Sequence, residues 1–113
     1  MITLWHNPRC SKSRKTLALI EEAGVTVSLR RYLEDAPTRE EIIVARDALG
    51  LTAIEMMRTG EKVFKELNLT SDSPEDALID AMAVHPILIE RPIAFTQSRA
   101  VIGRPPEAVK ALL

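Results

Sequence analysis

The chain contains one cysteine, Cys10, set in the stretch His6-Asn7-Pro8-Arg9-Cys10-Ser11-Lys12-Ser13-Arg14-Lys15. A thiol attacks as its thiolate, so its surroundings decide whether it is reactive. Arg9, Lys12, Arg14 and Lys15 cannot all point at the sulfur, but their summed field favours the anion. Ser11 and Ser13 can donate hydrogen bonds to it. The spacing is C-x-x-S. In a C-x-x-C motif the second cysteine resolves a mixed disulfide, whereas Ser13 can bond to the thiolate but cannot attack. Any redox cycle begun at Cys10 therefore needs a thiol from another molecule. A single cysteine also makes neither an internal disulfide nor a cysteine-based metal cage. His6 and His85 lack further ligands at metal-binding spacing, so no metal and no bound cofactor is expected.

The elements that would hold this thiol can be read around it. Ile2 to Trp5 is short and apolar, as a buried strand is, and Pro8 keeps a helix from starting before it. Ser11 to Ala23 reads as a helix stopped by Gly24. Cys10 thus lies at a helix N-terminus, where unpaired N–H groups and a partial positive charge favour a thiolate and can cradle a tetrahedral oxyanion. Val25, Val27 and Leu29 alternate with polar residues and mark a second strand, extendable to Tyr32. Strand, helix, strand makes a unit with parallel strands.

The middle of the chain is helical. Thr38 with Glu41 is a capping box, Ile42, Ala45 and Leu49 share a face, and Gly50 ends that helix. Thr52 with Glu55 opens a short helix to about Arg58, and Glu61 to Leu67 reads as another. Ser73 is placed as an N-cap with Pro74 at the first helical position of a helix running to about Val84. Strands return at Ile87–Glu90 and Ile93–Thr96, with Val101-Ile102 extending the second or forming a short third. Pro105-Pro106-Glu107 begins a final helix with Val109 and Leu112 inward. The reading is an α/β, thioredoxin-like fold: a βαβ unit, a helical segment inserted at about 38–84, and a ββα unit, on a mixed four-stranded sheet.

Composition bounds the function. The 113 residues suit a single domain, 1–113, and 46% hydrophobic with 4% aromatic content implies an aliphatic core. Met56, Met57 and Met82 read as core filler, Trp5 as a packing residue, and the charges from Glu34 to Asp47 as a solvated helix face. A net charge of −1 argues against nucleic acid as a partner. No apolar run approaches the roughly 20 residues of a membrane span, and the N-terminus does not read as a secretory signal. A reducing, cytoplasmic setting is expected, with a monomer allowed.

The stretch from His6 to Arg14 resembles the active-site segment of the glutaredoxin-dependent arsenate reductases, relatives of the Spx-type proteins. The likeness continues through Tyr32-Leu33-Glu34 with Pro37-Thr38-Arg39, through His85-Pro86-Ile87-Leu88-Ile89-Glu90-Arg91-Pro92-Ile93, and through Gly103-Arg104-Pro105. The resemblance implies a reaction in which Cys10 attacks arsenate, glutathione attacks the thiol-arsenate ester, arsenite leaves, and glutaredoxin clears the mixed disulfide. It gives His6 and Ser13 the task of ionising the thiol. It gives Arg58, Arg91 and Arg104 the task of holding the oxyanion, for which a planar, permanently charged donor fork is well suited. It makes Pro92 the candidate cis-proline facing the cysteine. Glutathione would be a co-substrate and glutaredoxin a protein partner.

Two positions depart from the family pattern. Ser11-Lys12 follows Cys10 where the best-known arsenate reductases have Gly-Thr, and Glu90 precedes Arg91 where they tend to have asparagine. These departures keep open a second reading, a glutathione-dependent thiol reductase acting on another substrate. A third, an Spx-like regulator binding RNA polymerase, lacks its usual C-x-x-C switch because Ser13 replaces the second cysteine.

Overall fold

In the computed structural model, which describes residues 1–113, the regular elements are β1 (Ile2–Trp5), α1 (Ser11–Glu22), β2 (Val27–Arg30), α2 (Arg39–Leu49), α3 (Lys62–Glu66), α4 (Glu75–Val84), β3 (Ile93–Phe95) and β4 (Ala100–Ile102). Short 3-10 turns occupy Ile54–Met56, Pro86–Leu88 and Pro106–Leu112. Two units pack separately: Met1–Asp35 with Arg91–Leu113, and Ala36–Glu90.

The first unit holds the sheet, in the order β2-β1-β3-β4. β1 runs parallel to β2, with Ile2 opposite Val27 and Leu4 opposite Leu29, because α1 carries the chain back between them. β3 lies antiparallel to β1, Leu4 opposite Ala94, and β4 antiparallel to β3. The sheet is therefore mixed and four-stranded, as the sequence implies. Ile2, Leu4, Ile20, Ala94 and Val109 form its core, with Leu17, Val27, Val101 and Leu112 packed against it. The core-facing residues come from β1, α1, β3 and the C-terminal turn, so α1 is pressed onto the sheet where Cys10 emerges. Trp5 is buried as a packing residue, its ring 4.9 Å from that of Phe95 and under the Arg30 guanidinium.

The second unit is helical. Thr38 and Glu41 cap α2 reciprocally, and Gly50 closes it at φ 69°, a left-handed conformation that suits glycine. Ile42, Ala45, Leu78, Ile79 and Met82 are buried, and so are Met56 and Met57. Arg39 pairs with Asp76 and Asp80, and Arg46 with Glu75. The charges on α2 are thus partly engaged with α4, where a solvated face was expected. Such exposed pairs add little to stability.

Several boundaries differ from the sequence reading. The second strand is shorter at both ends, Val27–Arg30. Ile87–Glu90 is not a strand: Leu88 N–H bonds His85 O and Ile89 N–H bonds Pro86 O, so the apolar run winds into a turn. Only Ile89 bridges Met57. The hairpin is β3–β4, turned by Thr96–Arg99, where Thr96 N–H bonds Arg99 O and Arg99 N–H bonds Thr96 Oγ1. Ser73 is not an N-cap. Its hydroxyl accepts from Thr70 N–H, and Pro74 stands outside a helix that begins at Glu75. The Thr52–Glu55 pair closes one 3-10 turn rather than a helix, and the C-terminal segment is 3-10 throughout.

Candidate active site

Cys10 is the N-cap of α1, with extended backbone (φ −94°, ψ 124°) and a half-buried side chain. Its N–H bonds Asn7 O at 3.0 Å, which folds His6–Cys10 into a tight turn off the end of β1. Its carbonyl starts the helix by accepting from Arg14 N–H. No acidic residue occupies the first turn of α1, so nothing opposes the positive end of the helix. Burial pushes the Cys10 thiol up. The Ser13 N–H, the Arg91 side chain and the Lys12 N–H together outweigh this and bring it below the usual thiol range. These donors favour the thiolate over the thiol.

Arg91 is half-buried and faces both the Cys10 sulfur and the buried Tyr32. Burial disfavours its charge, and these two partners more than restore it. It is the first residue of the return segment, and the Arg91–Pro92 bond that follows is cis. Pro92 O accepts from Gly103 N–H at 2.9 Å. Gly103 has no room for a side chain: a Cβ there would lie 2.5 Å from Thr16 Oγ1 and 2.8 Å from Pro92 Cγ. This close approach locks the Pro92 turn, the end of β4 and the second turn of α1 together. Arg104 follows Gly103, is exposed, and also precedes a cis proline, Pro105.

His6 extends the β1–β2 pairing through its N–H to Arg30 O. Its ring is buried, and burial together with the charges of Arg31 and Arg14 holds its pKa below the ordinary value, so it is neutral at neutral pH. Nδ1 lies 2.6 Å from the fully buried Ser13 Oγ, which also accepts from Asn7 N–H. The Ser13 hydroxyl thus ties α1 to the end of β1, while its backbone N–H serves the sulfur. Ser13 thus touches both groups, His6 through its hydroxyl and Cys10 through its N–H.

Arg58 lies in the other unit. Its side chain bonds Glu61 at 3.0 Å and pairs with Glu90 at 3.7 Å, and its N–H bonds Leu88 O. Among the residues named from sequence, the structure brings Cys10, Ser13, His6 and Arg91 together. It places Pro92 and Arg104 on the two turns joined through Gly103, and seats Arg58 among carboxylates. Thr16, Gly103 and the Tyr32 contact to Arg91 were not singled out. A threonine within an otherwise apolar helical face was the available signal for Thr16. No group of His, Cys, Asp or Glu side chains is arranged to hold a metal ion.

A mixed four-stranded sheet with a single cysteine at the N-terminus of the first helix, beside a cis-proline turn, defines a protein of the thioredoxin-like fold. The ArsC family model matches residues 5–112. An arsenate reductase of Neisseria meningitidis is 42% identical over 99% of this chain and 97% of its own length. A protein of Escherichia coli K12 called "Uncharacterized protein YfgD" is 48% identical over 96% of this chain and 92% of its own. The solved structure of an arsenate reductase from Vibrio cholerae superposes with a TM-score of 0.95 at 48% identity, covering 99% of this chain and 97% of that one. The chain belongs to the ArsC family.

Proposed function

We propose that this protein reduces arsenate to arsenite, with Cys10 as nucleophile and glutathione and glutaredoxin as the source of electrons. The observation that carries the reading is a thiol held below its usual pKa by helix N–H groups and by Arg91, the donors that would also receive an oxyanion. The names of the relatives point to the same substrate. In the first step the Cys10 thiolate forms an S–As bond and an arsenate oxygen leaves as water. In the second, a glutathione thiolate attacks the Cys10 sulfur. The S–As electron pair stays on arsenic, which passes from As(V) to As(III), and arsenite departs from a Cys10–glutathione disulfide. Glutaredoxin then reduces that disulfide. Two thiols are consumed for each arsenate, and since Cys10 is regenerated both must come from outside. Arg91 and Arg104 are assigned to the oxyanion.

The test is arsenite release from arsenate with glutathione and glutaredoxin. Wild type is expected to turn over and Cys10→Ser to be inactive. Normal turnover by Cys10→Ser would sink the mechanism.

A second reading has one observation in its favour: the Arg58 charge is matched by Glu61 and Glu90, which makes it a poorer oxyanion ligand than a free guanidinium. On this reading the protein is a glutathione-dependent thiol reductase. Reduction of glutathionylated mixed disulfides by a purified protein that leaves arsenate untouched would select it.

A further inference from the structure

Beside the Cys10 turn, and separate from the sulfur itself, a cleft of about 230 Å³ opens between the His6–Arg9 loop and the segment Arg31–Glu34. Its walls carry His6, Pro8, Arg9, Arg31, Leu33 and Glu34. Four other arginines of the molecule meet a carboxylate: Arg30 pairs with Asp35, Arg39 with Asp76, Arg46 with Glu75 and Arg58 with Glu61. Arg9 and Arg31 line a concave surface with no acid paired to either. The Arg31 charge reaches the buried His6 ring, where it is one of the causes that disfavour the imidazolium. The remaining wall is an exposed leucine, Leu33, beside the Pro8 ring, with one carboxylate, Glu34.

This donor set selects a ligand class. A bare tetrahedral oxyanion wants donors on every side, and Glu34 would repel it. An α-amino-acid terminus carries a carboxylate and an ammonium about two bonds apart on a short aliphatic stem. Guanidinium forks suit the first, a carboxylate the second, and Leu33 with Pro8 the stem. We propose that this cleft is the docking site of the thiol co-substrate, holding the zwitterionic γ-glutamyl end of glutathione between Arg9, Arg31 and Glu34. The proposal rests on the reading of Cys10 as a thiol acceptor for glutathione. Reach is adequate: Arg9 and Cys10 are adjacent, with Cα atoms about 3.8 Å apart, whereas an extended tripeptide spans roughly 10 Å. A glutathione anchored by one end can thus bring its own sulfur around the turn to Cys10. The oxyanion is left to the Arg91 side, so the two reactants do not compete for one set of arginines.

The probe is S-methylglutathione, which keeps both termini and cannot react, titrated into the wild-type protein and followed by amide chemical shifts. The expected result is shifts concentrated at residues 6–9 and 31–34, with affinity about tenfold weaker in Arg31→Ala and reduced in Glu34→Gln. Both side chains are exposed, so neither substitution threatens the fold. Shifts confined to Cys10–Ser13, Arg91 and Arg104, an affinity indifferent to Arg31→Ala, or no binding at millimolar probe would overturn the proposal. Because the probe undergoes no redox step, these outcomes are independent of arsenate turnover, which the Cys10→Ser comparison reads separately.

Discussion

A half-buried thiol is normally harder to ionise than an exposed one. At Cys10 the burial is offset by two backbone N–H groups and one guanidinium. Arg91 is the only side chain among these, so it is the one that mutation can remove cleanly. Arg91→Ala should move the pH profile of Cys10 alkylation to higher pH and slow alkylation at pH 7 several-fold, each pKa unit being about a tenfold change in thiolate fraction. An unchanged profile would show that the helix N–H groups suffice. Ser13 acts differently. Its hydroxyl is fully buried between His6 Nδ1 and Asn7 N–H, so Ser13→Ala strands both and should cost about 1–3 kcal/mol in a urea melt. Its N–H remains for the sulfur. The position of Cys10 at a helix start among basic residues was legible from residue types alone, because these are local features. The route from Ser13 to Cys10 was not, since spacing cannot say whether a hydroxyl or a backbone N–H faces the sulfur.

At the scale of elements, the site depends on α1 being pressed against the Pro92 turn at Gly103. Adding one methyl group there has nowhere to go, with Thr16 Oγ1 at 2.5 Å and Pro92 Cγ at 2.8 Å. Gly103→Ala should destabilise by about 1–3 kcal/mol and reduce Cys10 reactivity with it. The double substitution with Thr16→Ala, which removes the nearest atom, should restore part of the loss in a denaturation curve, whereas additive losses would refute the steric account. The sequence marked α1, α2 and their stops well, because capping residues and glycines act over one turn. It misplaced the hairpin. Ile87–Glu90 is apolar and short, and such a run reads equally as a strand or as a buried turn. Pro86 and the bonds back to His85 decide for the turn, and they leave β3 to pair with β4. Ser73 failed as a cap for a related reason: a serine before a proline can serve the preceding turn instead, which is where its hydroxyl goes.

Over the whole molecule, the family likeness extends over residues 5–112, taking in strands and the helical segment alike. No helix is long and apolar enough to cross a membrane. Global stability should register the buried His6. Its folded pKa is depressed, so protonation is disfavoured in the native state relative to the unfolded chain. The stabilisation is complete above about pH 6.5, the unfolded value, and is lost as pH falls from there through the lower folded value. The urea midpoint should therefore drop as pH falls below about 6.5, and His6→Gln should flatten that dependence. The central claim, that Cys10 passes through a bond to arsenic and then to an external thiol, is tested most directly by mass spectrometry of the intact protein. Reduced protein is incubated with glutathione, with and without arsenate, in the absence of glutaredoxin. The account predicts a single glutathione adduct on Cys10 that forms only when arsenate is present, because arsenate is the oxidant that makes the disulfide. No adduct, or an adduct that forms equally without arsenate, would contradict it.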